Sequence, residues 1–198
     1  LREALGRLCR RSDGTPVPLR TVSAGTRTGL VLQIDDPAQL GADIVTGAAA
    51  AVWLYGTPVA VLDFGTATVL SCVDANRTLL GVSIAPGMQT SLDGLRGAAA
   101  LIPHVELRAP ESVLGRNTAD SVRAGVVYGT AAMADGLVER TLREAHLPPD
   151  TPVVATGGLA GLILPFCRRR MHREDALTLY GLYRVFALTA RREALRKK

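Results

Sequence analysis

Apolar and polar residues change rhythm repeatedly along this chain, and each change marks the edge of an element. Residues 1–10 set Leu1, Leu5 and Leu8 at helical spacing before Ser12-Asp13-Gly14-Thr15-Pro16 breaks the pattern. Residues 18–23 and 29–34 read as short strands. From Asp36-Pro37 a helix is predicted to about Tyr55, with Pro37 in its first turn and the run Ala48-Ala49-Ala50-Ala51 suited to close packing. Gly56-Thr57-Pro58 ends it. Three apolar runs follow at 59–63, 66–73 and 78–84, separated by Gly65 and by Asp74-Ala75-Asn76-Arg77, which predicts an antiparallel three-strand unit. Pro86-Gly87 leads into a helix with Leu92 and Leu95 on one face. Thr118 is expected to cap a long helix reaching about Ala145, whose Gly125, Gly129 and Gly136 point to close approach of another element. Residues 153–156 read as a strand. A last helix from Asp175 carries Leu177, Leu179, Leu182, Val185, Phe186 and Leu188 as its apolar face.

Two of these strands run straight into turns with ligand chemistry. Val59-Ala60-Val61-Leu62-Asp63 enters Phe64-Gly65-Thr66-Ala67-Thr68, and Val153-Val154-Ala155-Thr156 enters Gly157-Gly158. A strand end of this kind offers backbone N–H groups and hydroxyls to a phosphate. Asp63 adds an acid able to hold a cation beside those phosphates. Two such loops about ninety residues apart suit one nucleotide held between two halves, and phosphoryl transfer is the chemistry this predicts. Each loop read alone is also an ordinary strand-to-helix turn.

Composition narrows the classes. A hydrophobic fraction of 47% in 198 residues predicts a compact α/β protein with a real core. The net charge of +5 invites a nucleic-acid reading until it is located: Arg168, Arg169, Arg170, Arg173, Arg191, Arg192, Arg196, Lys197 and Lys198 lie near the C-terminus. Aromatics make up only 4%, too few for stacking platforms, so a solvated basic helix end is expected and neither nucleic acid nor membrane is a predicted partner. Lysine occurs only at Lys197 and Lys198, which excludes a P-loop and a protein kinase. Cys9, Cys72 and Cys167 lack metal or redox spacing, His104, His146 and His172 form no ligand pair, and no apolar run reaches the ~20 residues that span a bilayer. A reduced, cytoplasmic setting is the expectation.

The order of pieces resembles the type III pantothenate kinases, a family of the superfamily that includes actin, sugar kinases and acetate kinase. The matching residues are Asp36-Pro37-Ala38-Gln39-Leu40-Gly41-Ala42-Asp43, Leu62-Asp63-Phe64-Gly65-Thr66-Ala67-Thr68 and Gly81-Val82-Ser83-Ile84-Ala85-Pro86-Gly87. Leu101-Ile102-Pro103, Gly115-Arg116-Asn117-Thr118, Thr156-Gly157-Gly158 and Leu177-Thr178-Leu179-Tyr180-Gly181-Leu182 follow in the family's order. The resemblance implies an actin-like, ribonuclease H-like kinase fold. Residues 1–58 would be the remainder of an incomplete N-terminal half, and 59–198 the C-terminal half. It implies ATP with Mg²⁺, a monovalent cation (K⁺ or NH₄⁺), pantothenate as substrate, and a homodimer.

Carried over residue by residue, Asp43 would be the general base that takes the hydroxyl proton of pantothenate. Gly41, Ala42 and Thr118 would line the substrate. Gly65, Thr66, Thr68, Gly157 and Gly158 would hold ATP, and Asp63 the monovalent cation. Read from its surroundings alone, Asp43 is equally a surface acid in a helix's first turn, and Thr118 equally a plain cap.

Four departures accompany the match. No Asp-x-Gly-Asn-Thr phosphate loop precedes Asp36, and the chain opens in mid-pattern without Met, so residues upstream are expected. Ile44 stands where the family has an Arg after the base. Val69 and Val82 replace a Thr and a Gly of its motifs. These departures keep two alternatives open: a catalytically impaired paralogue serving as partner or regulatory subunit, and a small-acid or sugar kinase of the same superfamily.

Overall fold

The computed structural model describes residues 2–23 and 25–196, with side chains described for 3–23 and 25–190. Its elements are α1 (Arg2–Leu8), β1 (Val31–Leu32), α2 (Ala42–Tyr55), β2 (Val59–Phe64), β3 (Ala67–Val73), β4 (Thr78–Pro86), α3 (Met88–Ala98), α4 (Thr118–Glu144), β5 (Val153–Thr156), α5 (Ala160–Ile163), β6 (His172–Arg173) and α6 (Leu177–Arg196). The strands form one sheet in the order β1-β4-β3-β2-β5-β6. β2, β3 and β4 are an antiparallel meander, as their alternating apolar runs predict, with Phe64 opposite Thr68 across the Gly65-Thr66 turn. β5 and β6 then add in parallel. This mixed sheet with helices on both faces is the α/β architecture expected of an actin-like kinase half.

Both faces are covered. On one, Leu62, Phe64, Leu70 and Ala155 pack against Val127, Ala131, Ala134 and Val138 of α4 and Ile163 of α5. On the other, Val59, Val61, Val73 and Val154 pack against Ala48, Ala50 and Ala51 of α2 and Leu177 of α6. Fully burying a Val, Leu or Ile is worth about 1.5–3 kcal/mol, so these two layers account for the sheet's central position. Small side chains matter most between α2 and α6. A Cβ on Gly181 of α6 would meet the Thr46 carbonyl of α2, coming within 2.5 Å of its carbon, so the two helix backbones nearly touch.

Several sequence expectations are corrected. Residues 18–23 form no strand, and 29–34 contribute only the two residues of β1, whose partner β4 takes them at Val31↔Thr78 and Leu32↔Leu79. The helix expected from Asp36 is broken: Pro37–Gln39 is a 3-10 turn capped by Asp36, and α2 starts afresh after Gly41. The cap of α4 is Asn117, not Thr118, because the Asn117 side chain accepts the Asp120 N–H at 2.9 Å. Arg168, Arg169 and Arg170 lie in a loop, and Arg173 on β6, so the expected basic helix end does not include them. α6 starts at Leu177, and of its expected apolar face Leu177 and Val185 are buried while Leu179, Leu182 and Phe186 are exposed. Leu95 is also exposed, whereas Leu92 is buried as expected.

Candidate functional site

Asp63 occupies the last turnward position but one of β2, in register with Thr156 of β5. Its neighbours are glycines. A Cβ on Gly65 would sit 3.5 Å from Asp63 Oδ1, and one on Gly157 would collide with that same oxygen. Gly157 has φ +94°, a left-handed conformation that glycine adopts at little cost, and its backbone presses on Phe64. The loop is pinned there by Leu159 N–H donating to the Phe64 carbonyl at 3.1 Å. The two predicted nucleotide loops are therefore adjacent, with the Asp63 carboxylate between Gly65 and Gly157.

Asp43 stands on a different element. It lies in the first turn of α2, where the helix dipole favours a carboxylate, and its Oδ1 accepts the Ile44 N–H at 2.9 Å. A Cβ on Gly41 would strike that same oxygen, so the missing side chain at 41 leaves room for the carboxylate. Ala42 is exposed beside it. Burial first, and then repulsion from Asp43, hold the Asp63 carboxyl above the usual carboxylate range. Two acids separated by 20 sequence positions thus share one electrostatic environment. Among the described residues neither carboxylate makes an ion pair with Arg, Lys or His. Two carboxylates placed this way could hold a cation. The described residues offer no cluster of three His, Cys, Asp or Glu side chains, so the remaining oxygens for a cation would come from carbonyls, water or a ligand.

The turn between β2 and β3 is held from outside. The Thr66 carbonyl accepts from Gly87 N–H at 3.0 Å and from the Thr90 hydroxyl at 2.6 Å, tying it to the start of α3. Gly87 is buried and lacks room for a Cβ, which would lie 2.6 Å from the Thr66 carbonyl oxygen. In sequence Pro86-Gly87 reads as a helix start and the end of a family motif, and neither reading announces this clamp. The Thr66 side chain is exposed and free to meet a ligand, and Gly158 is exposed likewise. Thr68 is different: it is buried, and its hydroxyl has no hydrogen-bond partner. Thr118 is an exposed first residue of α4, and among the described residues no hydrogen bond or ion pair joins it to the two acids. Ile44 is half-buried directly after Asp43.

Comparisons with known proteins bear on the family and the fold. The sequence model of the type III pantothenate kinase family matches residues 2–140. A type III pantothenate kinase of Frankia casuarinae is 42% identical over 170 residues, 86% of this chain and 67% of the relative. Those of Streptomyces avermitilis and Shouchella clausii are each 43% identical, covering 86% and 83% of this chain and 64% of either relative. The chain thus spans about two thirds of the length of these curated relatives. Among solved structures, a conserved Baf family transcriptional activator from Campylobacter jejuni superposes with TM-score 0.57 at 16% identity, over 83% of this chain and 71% of that one, a likeness of fold.

Proposed function

Because this chain belongs to the type III pantothenate kinase family, we propose that it carries the substrate and nucleotide half of an ATP-dependent kinase that phosphorylates pantothenate to 4′-phosphopantothenate, on the path to coenzyme A. The observation that supports this best is the Asp63 carboxylate held between the glycines of the two loops, with Asp43 near enough for its charge to help raise the Asp63 pKa. In this reading Asp43 is the general base. It takes the proton of the pantothenate hydroxyl as that oxygen attacks the γ-phosphorus, and the bond to the β-bridging oxygen breaks to release ADP. Gly41 and Ala42 let the substrate lie against backbone, and Thr118 of α4 offers a hydroxyl to it. Gly65, Thr66, Gly157 and Gly158 hold the phosphates, with Thr68 supporting the loop from beneath.

Asp63 is the holder of a monovalent cation, K⁺ or NH₄⁺, which would offset negative charge near the phosphates. Mg²⁺ would arrive with the triphosphate and supply the same kind of charge neutralisation. Residues 1–58 act as part of an N-terminal half and 59–198 as the C-terminal half. The working form is a homodimer in the cytoplasm, with the exposed Gly125 and Gly129 of α4 and Leu95 of α3 lining the groove where the second subunit packs. No helix of the described residues is long and apolar enough to cross a membrane.

The test is ATP-dependent phosphorylation of pantothenate, with Asp43→Asn beside wild type. Loss of turnover by about 10²–10⁴-fold with ATP binding retained is the expected result. One observation favours a second reading. Ile44 puts an apolar side chain where a cation would otherwise flank the base, removing charge-assisted bonds to substrate. If wild type binds nucleotide but turns over nothing, the chain is a non-catalytic paralogue that retains the fold as a partner or regulatory subunit.

A further inference from the structure

The parallel strands β2, β5 and β6 end along one edge of the sheet. Asp63 stands opposite Thr156 there, and Arg173 stands opposite Ala155, one residue short of the same edge. Residues in register on parallel neighbours share a face. Asp63 and Thr156 therefore follow Val61 and Val154 toward α2, while Arg173 follows Ala155 toward α4 and α5. Gly157 and Gly158 follow directly on the end of β5, the strand between β2 and β6.

The Arg173 side chain is seated rather than spread into water. Its Nε donates to Asp175 Oδ1 at 2.7 Å. Its guanidinium lies over Gly161 of α5, where a Cβ would come 2.7 Å from Nη1, 3.0 Å from Cζ and 3.1 Å from Nη2. The notch exists only because residue 161 has no side chain. Among the described residues Nη1 and Nη2 make no hydrogen bond, and about half of the side chain stays open at 51% exposure.

We propose that this guanidinium meets the base of the bound nucleotide and stacks on it, making Arg173 a nucleotide-specificity residue. The proposal rests on the nucleotide reading above. Asp63, Gly65 and Thr66 fix the phosphate end, so the base must lie away from that turn. On the side of β3 and β4 the turn is tied to the start of α3, whose Gly87 N–H and Thr90 hydroxyl donate to the Thr66 carbonyl. The other way crosses β5 to β6, two strand spacings or roughly 10 Å from β2. There the ligand meets a planar, weakly hydrated cation already held flat, the form of arginine that stacks on an aromatic ring.

The test is calorimetric titration of the full chain with Mg·ATP and, separately, with inorganic tripolyphosphate, for wild type, Arg173→Gln and Gly161→Ala. Arg173→Gln should weaken ATP by about tenfold and leave tripolyphosphate within about twofold. Gly161→Ala should do the same with Arg173 still present, because its methyl evicts the guanidinium from the notch. Unchanged ATP affinity in both variants overturns the proposal, and so does an equal loss for both ligands, which would put the cation on the phosphates. Wild type that binds tripolyphosphate as tightly as ATP overturns the base contact alone. Wild type that binds neither overturns the nucleotide reading, and this proposal with it.

Discussion

Replacing Gly157 by Ala should separate the fold's use of this loop from its neighbour's. Gly157 sits at φ +94°, and an added Cβ would lie 2.6 Å from both the carbonyl carbon and oxygen of Phe64 and would overlap Asp63 Oδ1. An alanine held in a left-handed conformation costs roughly 1–2 kcal/mol. Forcing a methyl against a buried backbone adds about 1–3 kcal/mol, since Phe64 belongs to the core strand β2 and has little room to yield. The sum is about 2–5 kcal/mol. For a chain of 198 residues that corresponds to a fall in Tm of roughly 5–15 °C. Gly158 is the internal control: it is exposed and a Cβ there meets nothing, so Gly158→Ala should lie within about 0.5 kcal/mol of wild type. Urea unfolding followed by circular dichroism measures both. If Gly157→Ala falls within about 0.5 kcal/mol of Gly158→Ala, the packing of this loop against Phe64 and Asp63 is wrong.

Further outcomes follow from single residues. Because burial and Asp43 raise the Asp63 pKa, the folded chain binds more protons than the unfolded one between the usual and raised values, and stability falls as pH rises through that window. Asp63→Asn should therefore be more stable than wild type near pH 7, with the gap closing as the pH drops below the usual carboxylate range of about 3.9; a gap independent of pH contradicts the burial argument. Thr68→Val replaces a buried, unpartnered hydroxyl with a shape-matched methyl and should stabilise the ligand-free chain by about 1 kcal/mol in the same urea assay, where a loss of that size would reveal a hidden partner. Asp135 of α4 accepts the N–H groups of Arg168 at 2.8 Å and Arg169 at 3.1 Å, so Asp135→Ala should cost about 1.5–3 kcal/mol and speed hydrogen exchange at those amides; unchanged exchange there argues against the staple.

The meander was legible because strands β2, β3 and β4 are longer than their turns and pair with sequence neighbours, so apolar runs and Gly or Asp-Asn breaks suffice. Long-range pairing left weaker traces. β6 is two exposed residues whose partner among the described residues, β5, lies well back in the chain, and nothing in His172-Arg173 itself announces a strand. Residues 18–23 have strand-like composition but pair with no strand of the sheet. Asn117 and Thr118 are both good caps, and only the geometry at Asp120 decides between them. At the site, the loops of Asp63 and Gly157 were readable as strand-to-glycine turns. The approach of Asp43 to Asp63 was readable only through resemblance, because it depends on how α2 lies against the sheet. Arg173 was hidden in plain composition: within a run of arginines it reads as one more solvated charge, and only the notch at Gly161 distinguishes it.

The contact of Gly181 with the Thr46 carbonyl gives the far end of the chain a hold on Asp43. Thr46 sits one helical turn after Asp43, and its hydroxyl donates to the carbonyls of Ala42 and Asp43 at 2.8 and 3.0 Å. The first turn of α2 is thus a short lever whose fulcrum is supplied by α6. A side chain added at 181, or a cut that loosens the last helix, would tip that lever and swing the carboxylate without altering any group near it. Variation along α6 could then tune or silence the site by remote adjustment, with every residue at the mouth of the glycine loops left in place.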